Sequence, residues 1–144
     1  MSYAMGESLQ TAVYGRLIAD PAVDALLGGA VFDSTPEAAP DLFVALGHER
    51  AVGISDASGQ GAIHRMRVSV VTRREGYIAA KMVAAAVSDA LVGDELPLAR
   101  GRLVSMRFLR ADARRDEGEG IRRIDLWFRA RTDDQTVQVA ISGV

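Results

Sequence analysis

Hydrophobic positions along the chain follow two different periods. Met5, Leu9, Ala12, Val13 and Leu17 recur every three or four residues, which predicts an amphipathic helix over Tyr3–Ala19. Asp20 and Pro21 then supply an N-cap and a first-turn proline, and Gly28-Gly29 a stop, so a short helix is expected over Pro21–Leu27. Val31-Phe32 reads as a brief strand, and Asp33–Pro40, with Pro36 and Pro40, as a loop. Leu42–Leu46 is short and continuously apolar, as in a strand buried on both faces. Gly47–Gly61 is glycine-rich with little periodicity and reads as a mobile, hairpin-like loop.

From Ala62 to Val71 the period becomes two: Met66, Val68 and Val70 alternate with Arg65, Arg67 and Ser69. That is a strand with one buried face. The helical period returns over Glu75–Leu91, with an apolar stripe of Ala79, Met82, Val83, Ala86, Val87 and Ala90 opposite Tyr77, Lys81 and Ser88. Gly93 is its stop, and Asp94–Gly101 a connector. The last third holds two long strands, Leu103–Arg110 and Ile121–Arg131, joined by a charged loop, Ala111–Gly120. In the second of them Ile124, Leu126, Phe128 and Ala130 face one way, and Arg123, Asp125, Trp127, Arg129 and Arg131 the other. Val137, Val139 and Ile141 alternate once more, in a tail too short to form a layer. The element order is α-α-β-β-β-α-β-β. It predicts an α+β fold: a mainly antiparallel sheet with two main helices on one face, the other face carrying the arginine-bearing sides of three strands.

Composition narrows the function. The 144 residues fit one domain, 1–144, with 132–144 as a C-terminal tail or arm. A net charge of −2 gives no electrostatic case for general nucleic-acid or membrane binding. The chain lacks cysteine, which excludes disulfides, thiolate nucleophiles and cysteine-bound metal, and suits a reducing cytoplasm. Residues 1–10 show no signal-peptide pattern, and no apolar run approaches the roughly 20 residues that cross a bilayer.

Catalytic chemistry has little to stand on. His48 and His64 are not spaced as metal ligands and read as structural histidines. Ser58-Gly59-Gln60-Gly61 lacks the Gly-Lys-Ser/Thr ending of a phosphate loop. Asp116-Glu117 and Asp133-Asp134 lie in polar runs that favour solvation over acid–base work. No cofactor is implied. A ligand-binding or enzymatic domain would have to use His64, Asp56 and Arg65 around a concave pocket. The arginines carry more information. Lys81 is the only lysine, a bias that reads as a GC-rich genome, yet guanidinium forks suit protein interfaces. Arg65, Arg67, Arg107, Arg123, Arg129 and Arg131 fall on predicted strands. Trp127, the only tryptophan, shares a face with three of them, which is the composition of an interface hot spot. Asp125 and the net charge argue against a nucleic-acid surface there.

Five stretches, Leu9–Gly28, Ser55–His64, Ile78–Leu91, Gly101–Arg115 and Arg122–Arg131, resemble in order and spacing the tail terminators of long-tailed phages, prophages and gene transfer agents. The resemblance covers the chain to about Arg131. It implies a non-enzymatic virion protein, assembled in the bacterial cytoplasm and carried into the particle. Its implied form is a homohexameric ring that caps the tail tube, ends its growth and docks the head–tail connector, or stopper, while DNA passes through the central pore. On that footing, Arg65, Arg67, Arg123, Trp127, Arg129 and Arg131 are expected at the subunit interface. Arg110, Arg114, Arg115, Asp116, Glu117, Asp56 and Ser58 are expected to meet the tube or connector, with Arg114 and Arg115 pairing a neighbour's acids. The 132–144 arm could add a strand to a neighbour, and the pore lining should not be strongly basic. The alternatives are another head–tail connector or tail-tube subunit, or a small ligand-binding α+β domain.

Overall fold

A computed structural model of the chain describes residues 3–54, 61–93 and 95–134. In chain order the elements are α1 (Gly6–Ala19), α2 (Pro21–Leu27), β1 (Val31–Phe32), β2 (Leu42–Ile54), β3 (Gly61–Thr72), α3 (Ile78–Val92), β4 (Arg102–Asp116) and β5 (Ile121–Asp133). The strands form one sheet in the order β1-β2-β3-β5-β4, antiparallel throughout except that β1 runs parallel to β2. The fold is α+β, and the element order is the one the periodicities predict. α2 begins and ends where its signals lie: the Asp20 carboxylate accepts a hydrogen bond from the Val23 N–H at 3.0 Å, and Gly28 closes the helix in the left-handed region.

The core lies between the helices and one face of the sheet. Leu9, Val13 and Leu17 of α1 and Ala80, Val83 and Val87 of α3 pack onto Val44, Val68, Val70, Leu126 and Phe128. Phe128 is fully buried; its area alone contributes on the order of 2–3 kcal/mol by transfer from water. A second, smaller cluster of Ala30, Phe43, Val71 and Ile121 covers one end of the other face. This explains why Ser69 and Val71 are buried although they point away from the helices.

Several expectations need correction. The presumed loop Gly47–Gly61 is largely strand: β2 continues through Ile54 and β3 begins at Gly61. A bulge between Gly47 and Glu49 shifts the register there, with His48 at φ 25°, and one inserted residue erases a period-two pattern. The charged loop Ala111–Gly120 is likewise mostly strand. β4 runs to Asp116 and only residues 117–120 turn. Residues 107–115 are all exposed, so nothing imposes an apolar alternation there. Finally, the buried stripe of α3 is Ala80, Val83, Val87, Ala90 and Leu91, rotated from the expected one. Met82 is 53% exposed. α1 and α3 also start three residues later than their patterns suggest, at Gly6 and Ile78. The expected tail at 132–144 starts as structure: Thr132 and Asp133 end β5, and Thr132 is buried. Residues 135–144, Asp56 and Ser58 lie outside the described residues.

Candidate assembly interface

The strand register builds the open face as a series of cross-strand rows. Arg107, Arg129, Arg65 and Arg50 stand directly opposite one another on β4, β5, β3 and β2. The next row is Arg110, Trp127, Arg67 and Gly47, followed by Asp112, Asp125, Ser69 and Ala45, and then Arg114, Arg123, Val71 and Phe43. Like charges directly opposite on a sheet destabilise it. Among the described residues no ion pair relieves Arg50, Arg65, Arg107 or Arg129.

Trp127 organises the adjacent row. The Arg110 guanidinium lies 5.4 Å and that of Arg67 5.9 Å from the ring centre, while the His48 ring meets it edge-on at 6.1 Å. Each cation–π contact at a partly exposed site contributes about 0.5–1 kcal/mol. The bulge makes this possible, because it releases His48 from the alternation of β2. A hollow of about 400 Å³ opens beside the ring, lined by His48, Arg50, Arg65, Leu109, Arg110 and Trp127. Leu109 is 44% exposed on the edge strand. The Nε atoms of Arg67 and Arg123 are buried and unpartnered, so both side chains keep unused donors.

The acids of this face are already engaged. Asp125 is buried, accepts a hydrogen bond from the Ser69 hydroxyl at 2.7 Å, and lies 3.7 Å from the Arg114 guanidinium. Asp112 pairs with Arg110 at 3.2 Å. Arg114 therefore has an acid within its own chain. Arg115 lies opposite Arg122, on the other side of the hairpin from Arg114, so the two do not point to one partner. Asp116 and Glu117 sit at the hairpin tip. Arg65, Arg67, Arg123, Trp127, Arg129 and Arg131 do share the open face. Arg50 and Leu109 also belong to it and escaped the sequence reading, Arg50 because it sits in the stretch taken for a loop.

Of the nominated ligand set, His64 and Arg65 do not converge, and Asp56 lies outside the described residues. His64 points toward the helices and Arg65, next to it on the strand, away from them. His64 is fully buried; its Nδ1 donates to the Glu49 carboxylate at 2.5 Å, and its Nε2 lies 3.1 Å from the Thr132 hydroxyl. The Tyr3 hydroxyl donates to the other Glu49 oxygen at 2.8 Å. Burial works against ionisation of Glu49, but the bonds from His64 and Tyr3 outweigh it and hold the carboxyl below its ordinary value. The bond to Glu49 in turn raises the Tyr3 hydroxyl above its ordinary value. This network ties the start of the chain to β2, β3 and β5.

Residues 11–133 match the family model described as "Tail completion protein gp17". The chain is also similar to a chain in the solved structure "Virion of native gene transfer agent (GTA) particle", with 51% sequence identity and a TM-score of 0.86. The match covers 92% of this chain and 99% of that one. No curated protein matches the chain.

Proposed function

We propose that this chain, which belongs to the tail completion protein gp17 family and is a structural component of a tail, caps the end of a tail tube as a homohexameric ring. In this role it ends polymerisation of the tube, offers the joining surface for the head–tail connector, and lets DNA pass through its centre. It assembles in the bacterial cytoplasm and then remains in the phage or gene transfer agent particle. The observation that carries the reading is the end-to-end similarity, at 51% identity, to a chain of a gene transfer agent virion.

The surface chemistry supports it. A protein whose task is contact needs side chains left over once its core is made. Here those are the arginines and Trp127 of one sheet face, where arginine and tryptophan are the residues that dominate interface energetics. A closed ring is built from one repeated head-to-tail contact between two different surfaces of the same subunit.

Removing the protein from a tail-assembly system tests the role. Without it, tubes should grow past their normal length and fail to join heads, as seen by negative-stain electron microscopy. Tubes of normal length that still join heads would refute it.

A further inference from the structure

The distribution of charge along the chain is uneven. Residues 3–46 carry six carboxylates, Glu7, Asp20, Asp24, Asp33, Glu37 and Asp41, against one cation, Arg16. Arg16 donates to the Ala90 and Glu95 carbonyls, and so is turned inward along the helices. Asp20 caps α2 and Asp33 accepts from Gln10. Glu7, Asp24, Glu37 and Asp41 are exposed, and no ion pair holds them among the described residues. The opposite imbalance exists on the open face, where the row Arg107-Arg129-Arg65-Arg50 contains no acid.

The two regions lie on opposite faces of the sheet. α1 and Val23 of α2 pack with the face that carries Val44, Val68, Leu126 and Phe128, while the arginine row stands on the other face. Each also carries exposed apolar groups: Tyr14 and Ile18 on α1, Leu109 on β4 beside the Trp127 hollow. An acidic surface on one side and a basic surface on the other favour a head-to-tail contact between identical copies.

We propose that the four-arginine row and the hollow beside Trp127 receive the acidic α1–α2 edge of a second copy of this chain. The proposal rests on the ring reading above and names the two surfaces that meet. Carboxylates entering the row take the unused guanidinium donors as bidentate pairs. They also remove the repulsion that the isolated chain carries. Leu109 and Trp127 supply apolar area that Tyr14 and Ile18 cover. The row is thus incomplete in one copy and neutralised in two.

Sedimentation velocity on the full chain tests this with four samples: wild type, R65E/R129E, E7R/D24R, and an equimolar mixture of the two variants. Wild type should assemble, with a midpoint concentration at least about tenfold higher at ~500 mM than at ~50 mM salt. Each variant alone should stay monomeric, since each removes most of the charge complementarity between the two surfaces. The mixture should assemble, because the reversed face of one variant meets the reversed edge of the other. Thermal melts guard against misfolding: R65E/R129E should melt at or above wild type, since it interrupts a row of like charges.

A wild-type chain that stays monomeric at every concentration overturns the proposal. So does assembly of either variant alone, or a mixture that does not assemble. Labelled duplex DNA supplies the competing occupant: DNA binding lost in R65E/R129E while assembly survives would also overturn it. Tube termination is read separately, from tail length in particles made with each variant. Variants that end tubes normally while ignoring both reversals sink this contact and keep the proposed function. Charge-swapped assembly with uncapped tubes keeps the contact and sinks the function.

Discussion

Arg129 stands directly opposite Arg65 across the β3–β5 pair, and on its other side faces Arg107. Two like-charged neighbours at cross-strand distance each oppose folding by a few tenths of a kcal/mol to about 1 kcal/mol. A single R129E substitution converts both into attractive pairs. The isolated chain should therefore become more stable by about 0.5–1.5 kcal/mol in urea denaturation, while losing self-association and tail completion. Gain of stability with loss of assembly marks a residue kept for contact. An R129E chain that is less stable than wild type contradicts this account of the row.

Trp127 joins the two functions of the open face. Trp127→Ala removes two cation–π contacts and partly buried area, and should destabilise the monomer by about 1–2 kcal/mol. The same substitution should weaken copy-to-copy association by more than about 2 kcal/mol, as expected of an interface anchor. Trp127→Phe, which keeps a ring, should lie between. Urea midpoints and sedimentation equilibrium separate the two effects. A loss of urea stability with association unchanged would mean that Trp127 serves the fold alone.

Glu49 predicts a pH dependence. Its carboxyl is held below the ordinary value near 4.5 in the folded chain. Such a group stabilises the fold above that ordinary value, and the contribution disappears as pH falls through the lower folded one. Glu49→Gln should thus cost about 1–3 kcal/mol near neutral pH, from the bonds to buried His64 and to Tyr3. The gap between variant and wild type should shrink below about pH 4. Denaturation measured at pH 7 and pH 3.5 checks the sign; a gap that widens in acid contradicts it.

Two glycines make opposite predictions. Gly101 turns the chain into β4 at φ +65°, and a Cβ there would lie 2.5 Å from the Asp133 carbonyl oxygen. Gly101→Ala should destabilise by about 2–4 kcal/mol, from the left-handed backbone and the clash together. Gly15 lies inside α1 with nothing within 4 Å of its missing Cβ. Gly15→Ala should stabilise the monomer by about 0.5–1 kcal/mol. Melting temperatures of the two variants should move in opposite directions.

Much of the fold was legible in the sequence, and for identifiable reasons. Where one face of an element meets the core and the other meets solvent, the period survives: β5 shows it from Ile124 to Arg131, and α2 is bounded by its own cap and stop. Legibility failed where burial does not alternate. The bulge at His48 shifts register within β2, the outer half of β4 is exposed on both sides, and α3 is so rich in alanine that its stripe could be drawn along either of two neighbouring faces. The open-face arginines were found because they sit on alternating strands. Arg50 gives no such signal, because the bulge at His48 breaks the alternation of its strand, and the four-membered row is visible only in the register. The partnership of His64 with Glu49 and Thr132 joins residues on three strands and has no local signal.

The most direct test is a reconstruction of an assembled tail in which the environment of Arg65, Trp127 and Arg129 can be read. The account predicts that all three are covered by protein, with carboxylates of a neighbouring copy's α1–α2 edge against the arginine row. The same three side chains facing open solvent, or lining the channel through which DNA passes, would contradict it.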